Sequence, residues 1–296
     1  MAMEMLEAME VLEDQTWLDP TGDEVQKVVS RVLAHERPTG MWLDNLLNGV
    51  WLGHPLHPVL TDIPVGAWTL GLILDGIESV TRRREYAAGA DVAVLVGLGG
   101  ALASAVTGLA QWQYTIGRQR RLGLSHGLVN VGATVLYGVS AVLRGRGKRG
   151  AGKVTALLGY GIVTIGAYIG GDLVYAHRLG VTHVPETELP NEWVRALADA
   201  ELAEGQLKKV MVADVPVLLV RQHGQVYALN EVCNHLGGPL SEGTLEERCV
   251  VCPWHGSRYA LSDGRNVNGP ATFPQPTYEV RIHNGQIEVR ATKASE

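Results

Sequence analysis

Four residues near the C-terminal end of the chain have the types and the spacing of a metal centre. Cys233-Asn234-His235 forms one cluster and Cys252-Pro253-Trp254-His255 the other, with sixteen residues between them. Each cluster offers one thiolate and one imidazole. A structural Cys2His2 zinc site is one reading of that donor set. Zinc spacings usually pair like ligands, Cys with Cys and His with His, whereas here each short cluster mixes the two. The third cysteine, Cys249, stands outside the pattern and reads as a small buried hydrophobe. A second constellation lies upstream: His54 and His57 within Gly53-His54-Pro55-Leu56-His57-Pro58, then His126 and His177. Such imidazoles can ligate haem, serve a quinol or proton site, or simply be satisfied by water and backbone at an interface.

The chain that must position these residues is uneven. Hydrophobic residues make up 46% of its 296 residues and charged residues 19%, against a usual ~25%. The net charge of -6 excludes a strongly basic nucleic-acid binder, and three cysteines exclude a dense disulfide framework. Residues 1–52 hold ten acids and three bases, residues 53–180 six and twelve, and residues 181–296 fifteen and ten. Of the 36 glycines, 24 fall in 53–180. A glycine-rich, basic middle therefore separates two acidic ends.

The middle has the pattern of a membrane domain. Val92–Ala110, Gly127–Leu143 and Val154–Gly171 carry no charge, and Val59–Ile77 is interrupted only by Asp62 and Asp75. A span needs about 20 mostly apolar residues, so four spans are expected within 53–180. Small-xxx-small pairs such as Gly97/Ala101, Gly99/Ala103 and Gly166/Gly170 suit close helix packing in lipid. Residues 1–16 are acidic, read as a solvated amphipathic helix and do not resemble a signal peptide. Met41–Trp51, with Trp42 and Trp51, suits a membrane interface.

Four spans return the chain to the side on which it starts. His54, His57, His126 and His177 then gather on that side, together with Asn130, Asp172 and Tyr175. The loops on the opposite side carry eight bases, and the near side carries five. The positive-inside rule taken alone puts the eight in the cytoplasm and the C-terminal region outside. Export of a folded metal domain would need a twin-arginine signal ahead of the last span, and none is seen there. The second argument leads, so a cytoplasmic C-terminal domain is expected.

The C-terminal region reads as a small all-β domain over 191–292, reached through the connector Arg178–Pro190. Val217–Val220, Val226–Leu229, Tyr278–Ile282 and Ile287–Val289 are strand-like, with His223-Gly224-Gln225 and Asn284-Gly285-Gln286 as turns. The fold class is thus multidomain: an all-α four-helix transmembrane bundle followed by a small all-β domain.

That β domain resembles the Rieske [2Fe-2S] family, on Cys233, His235, Gly237, Pro239, Cys252, Pro253, His255, Gly256 and the late Gly269-Pro270. The resemblance implies that Cys233 and Cys252 hold one iron and His235 and His255 the other. It also implies that the histidines form the exposed end of the cluster. Neutral imidazoles in place of thiolates raise the potential, within about -150 to +300 mV for such centres. Respiratory members carry a disulfide between the two loops, and Gly238 and Trp254 stand at those positions here. Ser257 and Tyr259 match the respiratory pattern of hydroxyls that donate to the cluster and Cys sulfurs, which points to an intermediate-to-high potential. The membrane half resembles a family of bacterial four-span domains (DUF2231) through its His-Pro-x-His-Pro opening. That resemblance implies a topology and no chemistry.

The reading expected from all this is a membrane-anchored carrier of single electrons. It would connect a membrane group, haem b or a quinone, with a partner protein, and would bind lipid but no nucleic acid. Alternatives are a quinol-oxidising enzyme whose membrane domain binds substrate, a ferredoxin component of an oxygenase, and a membrane-tethered redox sensor.

Overall fold

The computed structural model describes residues 2–33, 37–187 and 189–292. Residues 34–36 of the acidic N-terminal region and residue 188 of the connector lie outside the described residues. The chain divides into two compact units, Met1–Gly40 with Pro55–Leu179 and Met41–His54 with Gly180–Glu296.

The first unit is helical. It contains α1 (Ala2–Glu13), α2 (Asp19–Val32) and, after the segment that belongs to the other unit, four long helices. Counting the intervening Pro38–Asn48 as α3, these are α4 (Leu56–Thr81), α5 (Arg84–Trp112), α6 (Gly117–Gly145) and α7 (Arg149–Tyr175). All four are long and apolar enough to cross a membrane. Each contains one of the four runs expected from sequence. Leu70, Ile73, Leu95, Leu102, Val135 and Leu158 lie on their exposed faces, as suits a surface solvated by lipid. Short loops at Arg82–Arg83 and Arg146–Lys148 make two antiparallel hairpins, α4 with α5 and α6 with α7.

Glycine in this unit chiefly makes room for side chains rather than for bare helix backbones. A Cβ on Gly97 would collide with the Trp68 indole, and one on Gly166 would meet the Asn130 amide at 2.8 Å. Gly100 receives Ile63 and Pro64, while Gly99 faces nothing within 4 Å. Gly71 also meets neighbouring backbone, the Ala90 carbonyl oxygen at 3.7 Å. At the end of the bundle formed by the two loops, Arg144 is buried and ion-paired to Asp75, and it also bonds Asp91 at 3.0 Å. Arg149 bonds Asp91 at 2.9 Å, and Lys153 pairs with Glu78.

The helix expected to be solvated, α1, is held down at Met9, which is buried with Leu122, Ile169 and Leu173. Asp19 at the start of α2 receives Arg121 at 2.7 Å and Arg120 at 2.9 Å. These guanidiniums hold its carboxyl well below the usual carboxylate range. The acidic N-terminal stretch thus finds its counter-charges at the start of α6.

The second unit is built on antiparallel β-sheet. Its strands are β1 (Val194–Ala198), β2 (Leu207–Val212), β3 (Val215–Gln222), β4 (Gln225–Asn230), β5 (Thr244–Glu246), β6 (Cys249–Val251), β7 (Arg258–Ala260), β8 (Asn266–Asn268), β9 (Thr277–His283) and β10 (Gln286–Ala291). They form one sheet ordered β1-β10-β9-β4-β3-β2 and another ordered β5-β6-β7-β8. The expected turns at His223-Gly224 and Asn284-Gly285 join β3 to β4 and β9 to β10, with positive φ at both residues of each, the conformation two-residue hairpins favour.

Period-two alternation along β3 explains the two cores. Val217 and Leu219 face one, with Val215, Ile287 and Val289. Leu218 and Val220 face the other, which contains Leu229, Tyr259 and the two cysteines Cys233 and Cys252.

Met41–His54 also belongs to this unit, although in chain order it continues the acidic N-terminal region 1–52. Asn45 explains the attachment. Its amide donates to the Asn268 side chain at 2.6 Å and its oxygen accepts from the Gly269 backbone N–H at 2.8 Å. His54 lies edge-on to Phe273, with ring centres 6.1 Å apart.

Candidate metal centre

Two loops present the four residues with ligand spacing. The first follows β4 and is pinched by the Val232–Pro239 bridge; the second joins β6 to β7. The two loops share one internal geometry. The Gly237 N–H donates to the Cys233 carbonyl at 2.9 Å, and the Gly256 N–H to the Cys252 carbonyl at 3.1 Å. The cysteine N–H groups close each loop onto the carbonyls of Gly238 and Ser257, at 2.9 and 2.8 Å. Gly237 and Gly256 have φ of 84° and 77°, a conformation that favours glycine, which accounts for both residues.

Both cysteines are buried, and both histidines are partly exposed with ring centres 5.1 Å apart. The two thiols share a hydrogen bond. A hydrogen bond from Cys233 and backbone N–H groups of Trp254 and His255 bring Cys252 down to about 7. The interaction with Cys252, together with burial, pushes the Cys233 thiol up. One proton therefore leaves the pair readily and the second is held. Burial lowers His255 to about 4, and burial with the neighbouring His255 and His183 lowers His235 to about 3. Neutral imidazoles are the form that binds metal.

The donor set fits a Rieske [2Fe-2S] cluster. Two sulfurs adjoin on the buried side, two neutral imidazoles adjoin on the exposed side, and backbone N–H groups already point at the sulfurs. Cys233 and Cys252 would hold one iron, and His235 and His255 the other. When bound, such a cluster accepts and returns one electron. The protein's part is to hold the four ligands and to shield the sulfur end from water.

The three cysteines are free, and no disulfide ties the loops. A different contact stands at the two positions concerned. A Cβ on Gly238 would come within 3.1 Å of the Trp254 indole and within 2.9 Å of the Cys252 sulfur. Trp254 therefore closes over a position that only glycine leaves open.

Tyr259 is fully buried, with its hydroxyl 3.1 Å from the Cys233 sulfur. Burial and the neighbouring Cys233 push its phenol well up, so its proton stays in place. That one proton has a second acceptor, Asn234 Oδ1 at 2.9 Å. The Asn234 amide nitrogen is committed to the carbonyls of Phe273 and Pro274, at 2.8 and 3.0 Å, so the oxygen must face Tyr259. The buried Ser257 hydroxyl accepts from the Ala271 N–H at 3.0 Å and hydrogen-bonds the Tyr259 hydroxyl.

Tyr259→Phe is expected to lower the midpoint potential. A hydrogen bond to sulfur favours the reduced, more negative state, and a net bond of about 1 kcal/mol corresponds to about 40 mV for a one-electron couple. A redox titration of the variant checks this; an unchanged potential would mean the proton rests on Asn234.

Sequence reasoning missed three supports of the first loop. Gln275 is buried, donates to the carbonyls of Asn230 and Val232 at 2.8 and 2.7 Å, and accepts from the Asn234 N–H at 3.1 Å. Asn234 is the second. The third is His183, whose N–H donates to the Asn234 carbonyl at 3.0 Å. Asn234 adjoins a ligand and was the one open to detection; the other two are distant in sequence and carry no motif.

Of the four upstream histidines, the structure brings together His57 and His126, whose rings meet edge-on with centres 6.5 Å apart. His177 instead bonds Glu13 at 2.8 Å and lies 3.7 Å from Asp172. His54 belongs to the other unit.

Comparison with known proteins agrees with both units. The Rieske [2Fe-2S] domain family matches residues 192–279, and the family described as predicted membrane protein (DUF2231) matches residues 53–183. The C-terminal unit is similar to ferredoxin CarAc of Metapseudomonas resinovorans, 30% identical over 102 residues, covering 34% of this chain and 95% of that protein. It is similar to the ferredoxin component of the naphthalene 1,2-dioxygenase system of Pseudomonas putida, 31% identical, covering 33% of this chain and 94% of that protein. It is also 34% identical over 93 residues to apoptosis-inducing factor 3 of Mus musculus, where the match covers 31% of this chain and spans only 15% of the relative's length. With its paired Cys/His loops and a match along nearly the whole length of two ferredoxins, the chain belongs to the Rieske [2Fe-2S] family, its Rieske domain following a DUF2231 domain.

Proposed function

We propose that the protein is a bilayer-anchored one-electron carrier. Its Rieske domain delivers single electrons to, or takes them from, a partner protein. The observation that carries this reading is the asymmetry of the cluster loops: buried cysteines behind, partly exposed His235 and His255 in front. Electron transfer then runs through the imidazole end. Ser257 and Tyr259 act on the sulfur end, where they set the potential. The partner is a redox protein, in keeping with the oxygenase ferredoxins that the domain resembles.

In this reading the DUF2231 domain anchors the carrier through its four apolar helices. It also offers a membrane redox group a place at His57 and His126. The Rieske domain faces the cytoplasm.

The test is reduction of the cluster in the purified full-length protein. The carrier reading expects little reduction by a quinol alone and rapid reduction once a reductase partner is added. Rapid reduction by quinol alone would replace it with a quinol-oxidising enzyme.

A further inference from the structure

The four long helices are two copies of one hairpin. His57 and His126, Trp68 and Tyr137, and Asp75 and Arg144 are each separated by the same 69 residues. One common, slightly shorter offset carries Gly97 to Gly159, Ser104 to Gly166 and Gly108 to Gly170. The contacts repeat with the residues. Trp68 packs over Gly97 as Tyr137 packs over Gly159, and His57 over Gly108 as His126 over Gly170, each histidine's Cε1 lying 2.9 Å from the Cβ its glycine lacks. His57 Nδ1 meets the Ser104 carbonyl at 2.9 Å, and His126 Nδ1 meets the Gly166 carbonyl at 2.9 Å.

Each pair of equivalent residues also meets itself. The two histidines adjoin at 6.5 Å, Trp68 and Tyr137 stack at 3.9 Å with 3° between their planes, and Asp75 and Arg144 form the buried ion pair. Equivalent residues touch only on a symmetry axis. Because α4 and α6 run the same way, this is a pseudo-two-fold axis along the helices, the arrangement of a parallel repeat in a membrane protein. From one end to the other, the axis is lined by an imidazole pair, an aromatic stack and an ion pair.

The aromatic stack and the ion pair satisfy themselves; the imidazole pair does not. A carbonyl only accepts, so both Nδ1 atoms carry the proton and both Nε2 atoms keep a lone pair. At His126 that lone pair accepts the Asn130 amide, at 3.2 Å. Fixing the tautomer with a backbone carbonyl so that Nε2 is left to bind is how metal-ligating histidines are held. The two ring centres, 6.5 Å apart, are close enough for one metal ion to bond both imidazoles.

We propose that His57 and His126 form one site on the pseudo-two-fold axis that binds a single transition-metal centre between two imidazoles. The metal is a bare ion or the iron of a haem; both offer the same coordination chemistry. This names the chemistry of the membrane redox group in the reading above, and rests on that reading only for its use in electron transfer.

The experiment is metal analysis and a visible spectrum of the purified full-length protein, expressed with ample iron and haem precursor. Wild type is expected to hold one metal per chain beyond the two cluster irons. His57→Ala and His126→Ala should each lose it while keeping the Rieske EPR signal, and His177→Ala should keep both. A Soret band that vanishes with the metal identifies haem; metal without a porphyrin band identifies a bare ion. Wild-type protein with no metal beyond the cluster overturns the proposal whatever the variants do, as does metal retained in both variants. Neither result bears on the carrier reading, which the quinol and partner assay decides.

Discussion

Cys252→Ser and His255→Cys are each expected to abolish the Rieske EPR signal of the purified protein. Each changes a ligand on a different side of the cluster. Cys252→Ser removes the sulfur that backbone N–H groups of Trp254 and His255 address. A serine hydroxyl holds its proton far more tightly than this thiol and is a poor substitute for a soft ligand. His255→Cys keeps a ligand but replaces a neutral imidazole with an anionic thiolate, which lowers the potential and destroys the two-His asymmetry that defines the centre. Circular dichroism should show the sheets intact, because Val217, Leu219, Ile287 and Val289 form a core that does not include the cysteines. A surviving Rieske signal in either variant would mean that the ligands are misassigned.

Arg144→Met is expected to destabilise the helical unit by about 3–5 kcal/mol, the range for breaking a buried ion pair by removing one partner. Asp75 is about as buried as Arg144, with side-chain exposures of 6% and 3%. Without the guanidinium, Asp75 keeps only Arg149, at 3.4 Å. The double substitution Asp75→Leu with Arg144→Met should recover much of the loss, since apolar replacements of whole buried pairs are often near neutral. Thermal unfolding in detergent measures both. Equal losses in the single and double variants would show that the pair itself contributes little and that the bundle end is held by Arg149 and Lys153.

How much of this was legible in the sequence differs from one element to the next. The cluster loops were legible because their ligands, glycines and prolines sit within a few residues of each other, so the chemistry is written locally. The four helices were legible because lipid imposes long uncharged runs. Met41–His54 was not. Its place in the C-terminal unit depends on Asn45 reaching Asn268 and Gly269, and a single polar residue in a short helix gives no periodic signal. The hairpin repeat escaped for a different reason. Residues that meet on the axis are complementary more than alike, Trp68 with Tyr137 and Asp75 with Arg144, so self-similarity along the chain is weak. The glycines pointed in the right direction but at the wrong partner: Gly97 and Gly170 make room for an indole and an imidazole.

The most direct test of the account is an EPR-monitored redox titration of the full-length protein with iron analysis. A Rieske signal from two irons per cluster is expected, titrating as a single one-electron wave well above about -150 mV, the lower bound for such centres. Zinc in place of iron, or a wave near that lower bound, would contradict it.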